Sequence, residues 1–177
     1  MSNSERRYRA AISVVRPDLT KAPMMLHTRG WDSDAVEAGG FIFKFPKRPE
    51  AVERLKLEAR ILALVRPRVS LGVPDLRLHD GPPVFSEHRM IPGEVIETEG
   101  YAVLSEAQKA ALAEALAGFY AALHMIPVAE AVTIGVEPKP DWPSGDGVLG
   151  RLMDRLPVAM HDYAQCVRGL RGIATRG

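Results

Sequence analysis

The chain has 177 residues, 46% of them hydrophobic and 25% charged, with 23 Lys+Arg against 22 Asp+Glu and a net charge of +1. That balance gives no bulk electrostatic reason to expect nucleic acid or an anionic membrane as partner. The single cysteine, Cys166, excludes an internal disulfide and any multi-cysteine metal site. No run approaches the ~18 apolar residues of a membrane span, and residues 1–7 lead into no signal-type apolar run. The expectation is a soluble, cytoplasmic chain forming one domain, or a small lobe with part of another.

In chain order, residues 4–15 form an amphipathic pattern with Tyr8, Ala11, Ile12 and Val15 on one side, stopped by Pro17. Residues 23–27 read as a first strand. Thr28-Arg29-Gly30-Trp31-Asp32-Ser33-Asp34 is a polar turn with one glycine, and Ala35-Val36-Glu37 a short second strand. Gly39-Gly40 supplies residues able to take φ > 0 before Phe41-Ile42-Phe43-Lys44-Phe45-Pro46. There Phe41, Phe43 and Phe45 alternate with Ile42 and Lys44, the period of a strand. A helix over residues 49–65 follows, with Pro49 in its first turn and Val52, Leu55, Ala59 and Leu62 at helical spacing.

Residues 73–78 and 83–89 read as two strands around the turn His79-Asp80-Gly81-Pro82, and Ile91-Pro92-Gly93-Glu94 as a linker. The composition then turns helical. Ser105-Glu106-Ala107-Gln108 is a capping box opening a helix to about His124, whose apolar side carries Leu112, Leu116, Phe119, Tyr120 and Leu123. Residues 135–147 are dense in Gly and Pro, and two short helices are expected around 148–156 and 158–170. Neither His88 nor His124 has a second ligand at metal spacing.

Glu58 falls within the helix after the Lys44 strand. A strand lysine oriented by a carboxylate on the next helix is how kinase-type folds hold the phosphates of ATP, and a tight turn can offer backbone N–H groups to a phosphate. Gly30-Trp31-Asp32-Ser33, Phe41 through Arg48, Glu58, Phe85-Ser86-Glu87-His88-Arg89-Met90-Ile91-Pro92-Gly93-Glu94 and Leu123-His124-Met125-Ile126-Pro127 occur in the order and spacing of one family. Over roughly residues 17–128 the chain resembles the aminoglycoside phosphotransferase family, which is related to choline kinases and has the protein-kinase-like fold.

The resemblance implies an α+β fold: a small lobe over residues 1–90, with an antiparallel sheet of about five strands and one helix. A hinge and an incomplete helical large lobe would occupy residues 91–177. It implies that Lys44 reaches the α- and β-phosphates with Glu58 as its partner, and that residues 29–33, with Gly30 and Ser33, cover the phosphates. Ser86 and His88 would pair with adenine through their backbone groups, and Phe85 would wall the pocket, a role compatible with packing in the core. ATP with Mg2+ would be the cofactor and a small-molecule hydroxyl the acceptor.

The family's catalytic loop, an Asp in a His-Gly-Asp segment with an Asn five residues on and a later Asp for magnesium, has no counterpart. The only Asn is Asn3, and the only His-Asp pair, His161-Asp162, is followed by no Asn. No catalytic residue is therefore assigned, and the chain is expected to stop short of that loop. Three readings stay open: the amino-terminal portion of a longer kinase, a short nucleotide-binding module, or an interaction protein using the lobe as scaffold. The helices after Ser105 are expected to lack a partner surface and to favour self-association.

Overall fold

The computed structural model describes residues 2–137. Helix α1 (Asn3–Val15) opens on Ser2, whose Oγ accepts from the Glu5 N–H at 3.1 Å. A 3₁₀ turn (Pro17–Leu19) leads to strand β1 (Met24–His27), then β2 (Ser33–Ala38) and β3 (Phe41–Pro46). Gly39 and Gly40 join β2 to β3 with φ of 56° and 76°. A two-residue hairpin loop with both φ positive matches the twist of its strands, and glycine reaches that region without Cβ strain.

Helix α2 (Pro49–Val65) has the expected bounds. Strands β4 (Arg77–His79) and β5 (Phe85–Arg89) complete a fully antiparallel sheet of order β1-β2-β3-β5-β4. The first of these two strands is shorter than its sequence pattern indicates: residues 73–76 carry no regular structure. Pro74 has no N–H to give a ladder, and pairing with β5 begins only at Arg77 opposite Glu87.

Period-2 alternation divides the sheet into two faces. Val36 and Ala38 of β2, Phe43 and Phe45 of β3 and Phe85 of β5 join Tyr8 and Ile12 of α1 in one buried core. Within it the Phe45 ring stacks between Tyr8 (centroids 4.2 Å apart) and Phe85 (4.9 Å), and Phe85 in turn stacks on His79 (4.7 Å). Stacked aromatics of this kind are worth ~0.5–1.5 kcal/mol beyond their buried area. The opposite face carries Ala35, Lys44, Ser86 and Leu78, which are register partners across the strands.

Three helices follow: α3 (Thr98–Ala102), α4 (Glu106–His124) and α5 (Val128–Thr133). The expected capping box is present on α4, with the Gln108 N–H donating to Ser105 Oγ at 3.3 Å and the Ser105 N–H to Gln108 Oε1 at 2.9 Å. None of the three helices contains a buried residue, and Leu116 and Tyr120 of α4 are exposed. Helices α3 and α5 have no counterpart in the sequence reading. The helices expected around 148–156 and 158–170 lie outside the described residues.

Candidate nucleotide site

Lys44 sits mid-strand on the face away from α1, and its ammonium donates to Glu58 Oε1 at 2.5 Å. Both side chains are partly accessible, at 31% and 39%. Glu58 is on the inward side of α2: Ala51, Leu55 and Val65 are the buried residues, and Glu58 continues that stripe at helical spacing. The buried stripe therefore starts from Ala51, where the sequence pattern placed it on Val52 and Ala59. A carboxylate among inward-facing apolar positions is the feature that sets Glu58 apart from the other acids of α2.

One turn earlier, Arg54 grips Asp32 with two hydrogen bonds of 2.7 Å, Nε to Oδ2 and NH2 to Oδ1. Arg48, the N-cap residue of α2, donates to the same Asp32 Oδ1 at 2.7 Å. Arg54 and Glu58 stand four residues apart, so successive turns of one helix face hold Asp32 and Lys44. The Gly30 turn and the Lys44 ammonium are thereby brought to the same side of α2. The Arg54 guanidinium holds the Asp32 carboxyl below the usual carboxylate range, so it is ionised throughout the neutral region.

The turn itself is tight. A Cβ on Gly30 would lie 2.3 Å from the Ser33 carbonyl oxygen, so no side chain fits there without backbone movement. From the α1 side, Lys47 reaches the Thr28 and Gly30 carbonyls at 2.7 Å each, and its backbone N–H donates to Asp32 O at 2.9 Å. Lys47 Nζ also lies 3.1 Å from Asp34 Oδ1, and Asp34 Oδ2 accepts from the Tyr8 hydroxyl at 2.7 Å. Sequence reasoning missed Asp32, Lys47, Arg48 and Arg54. Their partners stand 13 to 22 residues away and leave no local pattern. The faint signal available was the set of three cations Lys47, Arg48 and Arg54 after a turn containing Asp32.

The β5 residues separate by parity. The Met90 N–H donates to Gly40 O at 2.9 Å, and this pair extends the register that puts Phe41 opposite Arg89. Hydrogen-bonded and non-bonded pairs alternate along an antiparallel ladder, so His88 with Ile42 and Ser86 with Lys44 are the bonded pairs. The backbone groups of Ser86 and His88 are thus committed to β3, which corrects the expectation that they meet a base. Arg89, of opposite parity, turns its N–H and C=O toward the β4 edge beyond the point where β4 begins at Arg77.

Phe85 is also placed differently from a pocket wall. It is buried in the α1-side core, on the face opposite Lys44, and only its packing role follows from that position. The structure joins Lys44 to Glu58 directly, sets Gly30 against Ser33 within the turn, puts the Ser86 and His88 side chains on the Lys44 face of the sheet, and leaves Phe85 on the other face. Among the described residues no three His, Cys, Asp or Glu side chains form a metal-binding group. No helix among the described residues is long and apolar enough to cross a membrane.

A five-stranded antiparallel sheet, a strand lysine paired to a helix carboxylate and a braced turn beside them define the small lobe of a kinase-like fold. The model of the phosphotransferase enzyme family matches residues 25–170, and the chain belongs to that family. No curated protein matches it. Among solved structures it is similar to a point variant of aminoglycoside 2'-phosphotransferase-IIIa in its GDP complex. The two share 25% identity and a TM-score of 0.65 over 90% of this chain and 56% of that one. It is also similar to APH(2")-IIa in a streptomycin–ATP ternary complex, at 26% identity and TM-score 0.58 over 76% and 46% of the two chains. A macrolide 2'-phosphotransferase from Brachybacterium faecium shares the fold at 23% identity and TM-score 0.58, over 73% and 47%. The chain spans about half the length of these relatives.

Proposed function

We propose that residues 1–90 are the nucleotide-binding lobe of an ATP-dependent small-molecule kinase that transfers a phosphoryl group to a hydroxyl. The hinge and the start of the helical lobe would occupy residues 91–177. The observation that carries this reading is the 2.5 Å Lys44–Glu58 pair on the sheet face next to the Gly30 turn. An exposed ion pair adds only ~0–1 kcal/mol to stability, whereas an ammonium held in place on a strand is a ready partner for phosphate oxygens. Lys44 and the turn hold the phosphates, and the Arg89 N–H at the open β4 edge receives the base, its carbonyl being 3.0 Å from His88 Nδ1. Relatives solved with GDP and with ATP support a nucleoside phosphate as ligand without fixing the base.

Magnesium and the acceptor-orienting aspartate would come from elsewhere in the complete enzyme, because the sequence contains no His-Gly-Asp segment and its only Asn is Asn3. The acceptor is a small-molecule hydroxyl; relatives are described as aminoglycoside and macrolide phosphotransferases. The single cysteine fits a reducing, cytoplasmic setting. Calorimetric titration of the 177-residue chain with ATP, and of its Lys44→Ala variant, tests the reading. Micromolar to millimolar binding that weakens in the variant supports it, and equal affinity in both removes Lys44 from the site.

A second reading rests on α4 and α5, where Leu116, Tyr120, Val128 and Val132 are exposed. Apolar faces of this kind mark association, so this portion is also proposed to self-associate or to act as an interaction module. Light scattering across a concentration series measures that directly.

A further inference from the structure

We infer that Lys47 is a positioning residue of the nucleotide site: it pins the Thr28 and Gly30 carbonyls and thereby aims the Arg29 and Trp31 N–H groups at the phosphates. This rests on the nucleotide-lobe reading above and deepens it.

The argument starts from the ammonium's inventory. It has three N–H donors, and three oxygens lie around it: Thr28 O and Gly30 O at 2.7 Å each, and Asp34 Oδ1 at 3.1 Å. Two of its donors are spent on the carbonyls and its charge is paired with Asp34 in an ion pair that makes no hydrogen bond, so Lys47 is engaged on the α1 side although it is a lysine beside a phosphate-covering turn. Its position is fixed from behind. Asp34 is buried and its other oxygen accepts from Tyr8 of α1, so the ammonium is tied to the α1 side of the sheet.

The consequence follows from peptide geometry. The peptide bonds of this turn are trans, the one cis bond of the described residues being Pro82–Pro83. In a trans unit the C=O of one residue and the N–H of the next point in opposite directions. Drawing the Thr28 and Gly30 carbonyls to the α1 side therefore sends the Arg29 and Trp31 N–H groups to the other side, where Lys44 lies. Neither N–H donates to any group among the described residues. Two aligned amides next to an ammonium form a nest for an anion. The Trp31 and Asp32 carbonyls are held by the adjacent residues in the same way, accepting from Arg48 NH1 at 3.3 Å and from the Lys47 N–H at 2.9 Å. The turn is preorganised before any nucleotide arrives, and binding need not include the cost of ordering it.

The test uses the whole 177-residue chain with two probes, ATP and adenosine, titrated into wild type and Lys47→Met. The methionine keeps most of the stem and removes the donors. Affinity for ATP should fall about tenfold, the weight of a charge-assisted contact set, while affinity for adenosine stays the same within about twofold. A loss shared equally by both probes would show a general structural role, and no loss for ATP would overturn the inference while leaving the nucleotide reading intact. Wild type binding neither probe would overturn both. If Lys47→Met does not fold, amide resonances of the wild type decide the matter. Arg29 and Trp31 N–H should shift on adding ATP and not on adding adenosine, and their silence would refute the proposal.

Discussion

Lys44 Nζ and Glu58 Oε1 are 2.5 Å apart across the junction of β3 and α2, at a site where both side chains remain about one-third accessible. Solvent screening at that exposure makes the pair a minor contributor to folding. Lys44→Ala and Glu58→Gln should each change the unfolding free energy by less than about 1 kcal/mol. Affinity for ATP should fall in both, more in Lys44→Ala, since in the proposed function the lysine touches phosphate and the glutamate only orients it. Urea denaturation alongside nucleotide titration checks this. A large stability loss with unaltered affinity would make the pair structural.

Gly30→Ala probes the turn. The added methyl would meet the Ser33 carbonyl oxygen at 2.3 Å, against backbone and not a movable side chain. The turn must open, and the carbonyls now bonded to Lys47 must move with it. The expected result is weaker ATP binding with a modest stability loss, because the turn is on the surface and outside the core. Gly40→Ala is a useful contrast. No atom stands within 4 Å of its added methyl, but its φ of 76° strains any L side chain. It should lower stability by roughly 1 kcal/mol with ATP affinity unchanged.

Much of this was legible because the strongest periodic signals sit where the fold is most regular. The Phe41–Pro46 alternation, the Gly39-Gly40 turn and the proline-initiated α2 are local features, and each gives the observed element. Lys44 and Glu58 were legible as a pair through their placement on those elements. What could not be read was carried by distant contacts. The Asp32–Arg54 grip joins residues 22 apart, and the Lys47 bond to Gly30 O spans 17. Strand parity on β5 depends on which ladder pair is hydrogen-bonded, and that is set by Met90 and Gly40 in three dimensions. Sequence alone is compatible with two roles for Phe85, and only the register shows which sheet face it occupies.

Tyr8→Phe tests the brace from α1. Burial first, and then the hydrogen bond to Asp34, raise the Tyr8 pKa, so the phenol stays protonated and donating at neutral pH. Removing the hydroxyl keeps the stacking on Phe45 but leaves a buried carboxylate short of a partner. A cost of about 1–3 kcal/mol is expected, read as a lower urea midpoint at constant slope. A midpoint within error of wild type would mean that Asp34 is satisfied by Lys47 alone.

Acid should not release the turn until well below neutrality. The Asp32 pKa is lowered in the folded protein, chiefly by Arg54. A depressed carboxylate contributes stability above its unfolded pKa, and this is lost as pH falls through the folded value. The Asp32 contribution should therefore be constant from pH 8 to about 5 and be lost only below the ordinary carboxylate range. Carboxyl carbon-13 shifts report the titration directly. Arg54→Gln should move the Asp32 midpoint upward, and an unmoved midpoint would place the cause elsewhere.

Finally, residues 1–177 alone should bind nucleotide without transferring phosphate at a useful rate. Phosphoryl transfer depends on aligning the acceptor and neutralising charge on the moving group. In the proposed function Lys44 and the Gly30 turn act on the nucleotide already in its ground state, and uniform binding does not lower the barrier. The sequence has no His-Gly-Asp segment, and its only Asn is Asn3, in the first turn of α1. Losing a single transition-state donor commonly costs ~100–1000-fold, and the sequence carries neither the His-Gly-Asp segment nor the Asn that follows it. Purified chain with ATP, magnesium and a panel of aminoglycosides, macrolides, choline-like alcohols and sugars should show no turnover above background. Turnover that persists through purification and disappears in Lys44→Ala would mean that Asp146 or Asp162, both outside the described residues, supplies the missing carboxylate.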